Sequence, residues 1–214
     1  SSLGAMVFLL GLGTPLAVKT AMLFLLTHAL YKGAFFLIAG GIDHSAGTRD
    51  IRKLGALSKL MPFTTITAGL TALSMAGLPP AIGFISKEYI YESTLHASSL
   101  PYLLTALAVV SNIANVAIAG WVGIRPFWQK PETTDHDLHP HKEALWLWLP
   151  PMVLAITGLF MGVFSQGTAQ NWVKTATIGT LQQLTDVKLS LWHGITPMLL
   201  LSILTLFLGI TAYF

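Results

Sequence analysis

Long apolar runs, each about the length of a bilayer crossing, constrain this chain more than any other feature. A helix rises 1.5 Å per residue, so a hydrocarbon core of roughly 30 Å takes about 20 apolar residues. Residues 17–42, 62–95, 102–124 and 145–164 meet that demand, and 196–214 supplies a last run. Runs of this length cross as helices, because the bilayer leaves backbone groups no other hydrogen-bond partners. Composition agrees: the chain is 53% hydrophobic and 10% charged, where a soluble domain averages about 25% charged residues. Too little polar surface remains to coat a water-soluble globule. The expected fold is an all-α integral membrane protein of about five transmembrane helices after a truncated first one.

The opening Ser1-Ser2-Leu3-Gly4-Ala5-Met6 has no basic region and no cleavage site, unlike a signal peptide. Its apolar run ends by Gly13, too short to span a bilayer. It reads as the tail of a helix begun upstream, so the chain is expected to be part of a longer protein. Absence of cysteine excludes disulfides and thiolate metal sites, and a net charge of +3 is too small and dispersed for nucleic acid.

Basic residues set the orientation. Arg49, Arg52, Lys53 and Lys59 lie in the 43–61 connector, and Arg125, Lys130 and Lys142 in the 125–144 connector. Both loops fall on one side, and the excess of Lys and Arg places them in the cytoplasm of a cell inner (plasma) membrane. Six tryptophans, from Trp121 to Trp192, sit near span ends, where interfacial aromatics belong. The 125–144 loop also holds His136, His139 and His141 among Glu132, Asp135, Asp137 and Glu143. With no helix or strand to fix coordination, these read as a solvated loop and not as a metal site. The 165–195 connector carries no recognisable chemistry and reads as an amphipathic stretch lying on the membrane. No phosphate-binding loop, G-x-S-x-G or H-E-x-x-H pattern calls for a cofactor.

Charge inside the spans is the functional signal, because it is costly there unless it faces protein or water. His28 and Lys32 lie near the middle of the 17–42 run and share one helix face, four residues apart. An imidazole, and an ammonium withdrawn from water, are side chains able to exchange protons near neutral pH. The pair therefore reads as a two-step proton relay. The plainer alternative is a lysine paired permanently with a carboxylate on a helix outside this chain. Lys19, at a span end, reads as a lysine reaching the interface with no further role.

Residues 62–95 as one helix would measure about 51 Å, well beyond the bilayer. The run Gly77-Leu78-Pro79-Pro80, followed by Gly83, should break it, since proline lacks the N–H and clashes with the preceding turn. Irregular backbone at membrane depth survives only against protein or a watery cavity, and broken helices form ion sites in transporters. Lys87 follows in the first turns of the second half-helix, near its positive end. Glu88 and Glu92 stand beside it as charge partners or the next proton acceptors. The bland alternative makes Lys87 and Glu88 interfacial. Ser111, Asn112 and Asn115 in the next span read as interhelical hydrogen-bonding residues, with water lining as the lesser reading.

Two segments carry a resemblance to a known family. Thr27-His28-Ala29-Leu30-Tyr31-Lys32-Gly33-Ala34 resembles the H-A-x-x-K-[AG] helix of the antiporter-like subunits shared by respiratory complex I and the Mrp sodium/proton antiporters. Gly77-Leu78-Pro79-Pro80-Ala81-Ile82-Gly83-Phe84-Ile85-Ser86-Lys87-Glu88 resembles their discontinuous helix. The 42–55 loop and Leu191-Trp192-His193-Gly194 are more similar to the large A-type subunits of Mrp (Mnh) complexes than to complex I. The resemblance implies inverted five-helix repeats forming half-channels, with Lys32 as the central lysine, His28 the relay histidine and Lys87 the lysine of the broken helix. It further implies that 1–128 is the C-terminal part of the proton-translocating domain and that 129–214 adds further membrane helices. Partners would be other membrane subunits, protons, and Na⁺ or K⁺.

The leading expectation is a secondary transporter subunit, not an enzyme, exchanging a monovalent cation for protons. The alternative is the proton-pumping subunit of a respiratory NADH:quinone oxidoreductase or membrane-bound hydrogenase, where the assembly would be an enzyme. A third reading is a scaffold whose buried charges only lock helix packing.

Overall fold

A computed structural model describes residues 2–131, 143–192 and 194–214. The histidines and most of the carboxylates of the 125–144 loop lie outside the described residues, as does His193. Among the described residues the chain is helical and contains no strand. In chain order the helices are α1 (Ser2–Gly11), α2 (Pro15–Ala46), α3 (Pro62–Ala76), α4 (Ile82–Leu95) and α5 (Pro101–Gly123). A short α6 (Arg125–Trp128), α7 (Leu145–Val163), α8 (Ala169–Leu181) and α9 (Pro197–Tyr213) follow.

α2, the α5–α6 unit and α7 are each long and apolar enough to cross a membrane, and α9 is a shorter apolar helix. The expected 62–95 span is instead two half-helices, α3 and α4, parted where the Gly-Leu-Pro-Pro run foretold. α2 begins with Pro15 behind Thr14, whose Oγ1 accepts the Ala17 N–H, and ends at the left-handed Gly47. Its cap residues thus close one helix of 32 residues.

α2 is the hub, packing against α1, α3, α4, α7 and α8, while α5 packs on α3, α4 and α9. One core joins Tyr31, Phe35, Ile38 and Ile42 of α2 to small residues Ala68, Ala72 and Ala76 of α3 and to Val116 and Ala119 of α5. Small residues at such crossings let the backbones approach closely. Leu25, Phe36, Ile156, Ile203 and Phe207 point outward and stay exposed, as surfaces meeting lipid or other subunits do. Trp128, Trp146, Trp172 and Trp192 are likewise exposed near helix ends.

The basic loops meet directly. Ala56 N–H donates to the Gln129 carbonyl at 2.9 Å, and Gln129 Nε2 donates to Tyr213 Oη at 2.7 Å at the end of α9. The ends of α2, α5 and α9 therefore gather at one end of the bundle. Exposed pairs decorate that end: Arg49 with Asp43 at 2.7 Å and Arg52 with Asp50 at 2.9 Å. The Arg52 guanidinium holds the Asp50 carboxyl below the usual carboxylate range.

Glu143 has a structural task. Its carboxylate accepts the N–H groups of Phe63 and Thr64 at 2.7 and 2.9 Å, and the Thr64 hydroxyl at 2.5 Å. Met61, at the N-cap of α3, offers no side-chain acceptor, so the residue leading into α7 caps α3 from outside. The reading of 165–195 as membrane-surface helix needs correction. The buried stripe of α8, Ala169, Val173 and Thr177, turns toward protein, with Ala169 and Val173 in one core with Leu23 of α2.

Candidate functional site

The break between α3 and α4 shapes the site. Gly77 takes a left-handed conformation (φ 67°), one that costs other residues about 1–2 kcal/mol. Its N–H bonds to the Ser74 carbonyl and that of Leu78 to the Leu73 carbonyl, at 3.1 and 3.0 Å. Those two bonds satisfy the last carbonyls of α3 and turn the chain sharply. Pro79 and Pro80, joined by a cis peptide bond, then carry it to α4. Gly83 lets the new helix return against the old one: a Cβ there would lie 1.7 Å from the Ser74 carbonyl oxygen. Gly162 of α7 presses similarly close to Pro80, so protein seals the break on that side.

Lys87 is 4% exposed and Glu88 9%, so both are buried in protein. Lys87 Nζ donates to the Ala76 carbonyl at 3.1 Å. Lys87 stands in the first turns of α4, as expected. The long side chain reaches back to the C-terminal end of α3, whose carbonyls carry partial negative charge. Gly77 makes room for it, since a Cβ there would stand 2.8 Å from Lys87 Cε.

A cavity of about 10 Å³ adjoins this lysine, lined by Thr27, Tyr31, Ser74, Ser86, Asn112 and Asn115 among others. Its volume matches that needed by one water molecule. Ser74 Oγ and Ser86 Oγ are buried there and make no hydrogen bond among the described residues. Asn112 and Asn115 line it and also a larger neighbouring cavity of about 260 Å³ between α1, α2, α4 and α5. Asn112 also bonds across to the Tyr91 hydroxyl of α4, as the interhelical reading expects.

His28 Nδ1 lies 3.0 Å from Tyr31 Oη, and Tyr31 lines the Lys87 cavity. Tyr31 therefore joins two residues that the sequence alone left separate. Lys32 shares the half-buried strip of α2 with His28, its Nζ 5.4 Å from the Phe36 ring centroid, and does not line that cavity. The lone signal for Tyr31 was its place within the His28–Lys32 segment.

Lys19 is the fifth residue of α2, at the span end where it was expected. It is half-buried, its Nζ 4.4 Å from the centroid of Tyr89. With Glu88, Glu92, Asp186 and Lys188 it lines a third cavity of about 360 Å³. No spacing rule links residues 19, 88 and 186. Only the packing of the 165–195 connector onto α2 and α4 brings them together. Among the described residues no group of histidines and carboxylates is arranged to hold a metal ion.

Comparison with known proteins agrees with this architecture. The chain is 35% identical over 219 residues to a probable K⁺/H⁺ antiporter protein of the A/B type from Rhizobium meliloti (strain 1021), covering 100% of this chain and 22% of that protein. It is 31% identical over 232 residues to the A1 component of a Na⁺/H⁺ antiporter from Staphylococcus aureus (strain JH9), covering 98% of this chain and 29% of that protein. A chain in the structure of the Mrp complex from Dietzia sp. DQ12-45-1b superposes with a TM-score of 0.85 at 32% identity, over 100% of this chain and 23% of its own length. The chain thus spans less than a third of the length of these relatives. Residues 1–114 match the family model described as NADH:quinone oxidoreductase/Mrp antiporter, TM, and the chain belongs to that family of membrane proteins.

Proposed function

We propose that this chain forms part of the large A-type subunit of a multisubunit monovalent cation/proton antiporter, and that Lys87, Glu88, His28 and Lys32 carry its protons. The observation that bears most of this is Lys87: a lysine 4% exposed, beside a broken helix, next to a polar cavity the size of a water molecule. A permanent buried cation costs several kcal/mol unless its surroundings compensate. A lysine that gives up and regains its proton turns that cost into a transport step. Tyr31 and His28 extend the route along α2, and Lys32 lies one turn beyond. Glu88 opens onto the opposite face of α4. The names of the relatives, one for K⁺ and one for Na⁺, favour a monovalent cation antiporter over the respiratory pump.

Residues 1–128 then form the end of the proton-translocating domain and 129–214 the added helices. The assembly sits in the inner (plasma) membrane with the 43–61 and 125–144 loops in the cytoplasm, and other membrane subunits cover the outward apolar faces. The test expresses the complete complex in an antiporter-deficient host and follows pH-gradient dissipation in everted vesicles on adding Na⁺ or K⁺. Wild type should dissipate the gradient, and Lys87→Ala and Lys32→Ala should not, although both assemble. A wild type indifferent to either cation would return the chain to the respiratory reading. Full rates in both variants would leave the lysines structural.

A further inference from the structure

Tyr91 is fully buried, one helical turn beyond Lys87 on the same side of α4. A phenol withdrawn from water needs partners for its hydroxyl, and Tyr91 finds them on two other helices. Its oxygen stands 2.6 Å from Thr205 Oγ1 of α9 and bonds to the Asn112 side chain of α5. Thr205 is within reach because α9 presses closely on α5: at Gly209 a Cβ would lie 2.4 Å from Val116 Cβ. α9 lies outside residues 1–114, the part of the chain that the family model matches.

Counting protons gives these bonds a direction. A hydroxyl has one proton to donate. That of Thr205 goes to the Leu201 carbonyl at 2.6 Å, within α9. Thr205 then accepts from Tyr91, and Tyr91, its own proton used, accepts from Asn112. An asparagine amide donates through Nδ2, so Nδ2 faces Tyr91 and Oδ1 is left for the cavities that Asn112 lines. One of them is the cavity of about 10 Å³ beside Lys87. Ser74 and Ser86, whose hydroxyls make no hydrogen bond among the described residues, line the same space.

We propose that Tyr91 and Thr205 are positioning residues that hold the Asn112 amide with its oxygen toward the Lys87 cavity, where an ammonium, or a water bound to one, finds an acceptor. The reversed amide would present its NH₂ group there and oppose the ammonium. Through two hydrogen bonds α9 thereby sets how readily Lys87 keeps its proton. The inference rests on the antiporter reading and adds a task for a helix outside the matched family residues. Among the described residues, the ionisable groups facing Lys87 are Glu88 beside it on α4 and Tyr31 of α2, itself bonded to His28. α3 and α7 carry no ionisable side chain, and Tyr102 and Tyr213 lie at the ends of α5 and α9.

The test measures cation-driven pH dissipation across a pH series, in everted vesicles carrying the full complex with assembly checked by copurification. Loss of an acceptor from an ammonium favours the neutral amine. Tyr91→Phe and Thr205→Val should therefore shift the profile toward lower pH by about half to one unit, the worth of one hydrogen bond. Thr205→Ser keeps the hydroxyl and should keep the wild-type profile, a rescue that packing alone does not require. In an Asn112→Leu background, Tyr91→Phe should shift the profile no further. If Tyr91→Phe fails to assemble, the contrast between Thr205→Val and Thr205→Ser decides. An unchanged profile in an assembled Tyr91→Phe or Thr205→Val complex would overturn the proposal, as would an equal shift by Tyr91→Phe in the Asn112→Leu background. No cation response in wild type would overturn the antiporter reading itself, a distinct failure.

Discussion

Lys87 shows how a buried ammonium is held by its surroundings. Its stem lies in protein and its ammonium meets the carbonyl of Ala76, at the end of the helix before its own. That geometry exists because Gly77 has no side chain to fill the space. Gly77→Ala adds a left-handed strain of about 1–2 kcal/mol and pushes against Lys87 Cε. The expected result is a lower melting temperature of the purified complex together with reduced antiport; unchanged values in both would remove Gly77 from the account. Lys87 and its glycine were legible because motif and break are local in the chain. Tyr31 was not, since a tyrosine on a helix reads as core until its hydroxyl is seen beside His28. The neighbours of Lys19 were missed for a stronger reason: Glu92 and Asp186 lie far along the chain.

Among the elements, two Pro-Pro pairs behave differently. Pro150-Pro151 lies inside the continuous α7, whereas Pro79-Pro80 stands between two helices. A proline pair alone therefore does not end a helix here. Gly77, turning left-handed and closing the carbonyls of α3, ends it before the prolines are reached. Gly83→Ala places a methyl group 1.7 Å from the Ser74 oxygen by ideal geometry, so the half-helices must part. The expected cost is about 1–3 kcal/mol, read as a fall in thermal stability; a neutral result would contradict the close approach. At the other end of α3, Glu143→Ala removes the acceptor for two N–H groups and costs about 1–2 kcal/mol of local stability. Amide exchange at Phe63 and Thr64 should then rise by about tenfold or more, and unchanged exchange would refute the cap. The break was readable in the sequence, but Glu143, grouped with loop histidines, gave no sign of capping a helix 79 residues away.

At the scale of the whole molecule, sidedness follows from contacts between connectors. The 43–61 and 125–144 loops touch through Ala56 and Gln129. Cysteines replacing Arg49 and Lys130 should react with impermeant thiol reagents from the cytoplasmic face, and one replacing Thr185 from the opposite face. Labelling of Arg49→Cys and Lys130→Cys from different faces would contradict the arrangement. The all-helical membrane class was legible from apolar runs, because bilayer thickness imposes their length, although only three helices are long and apolar enough to cross where about five were expected. The proposed proton path was not, because the residues assigned to it come together only where separate helices meet. Its most direct test is Lys87→Arg in the complete complex, with assembly verified by copurification of all subunits. Arginine keeps the positive charge and does not release its proton. Loss of cation-driven pH dissipation in an assembled Lys87→Arg complex is the predicted result, and a wild-type rate would show that Lys87 serves as a fixed charge and carries no proton.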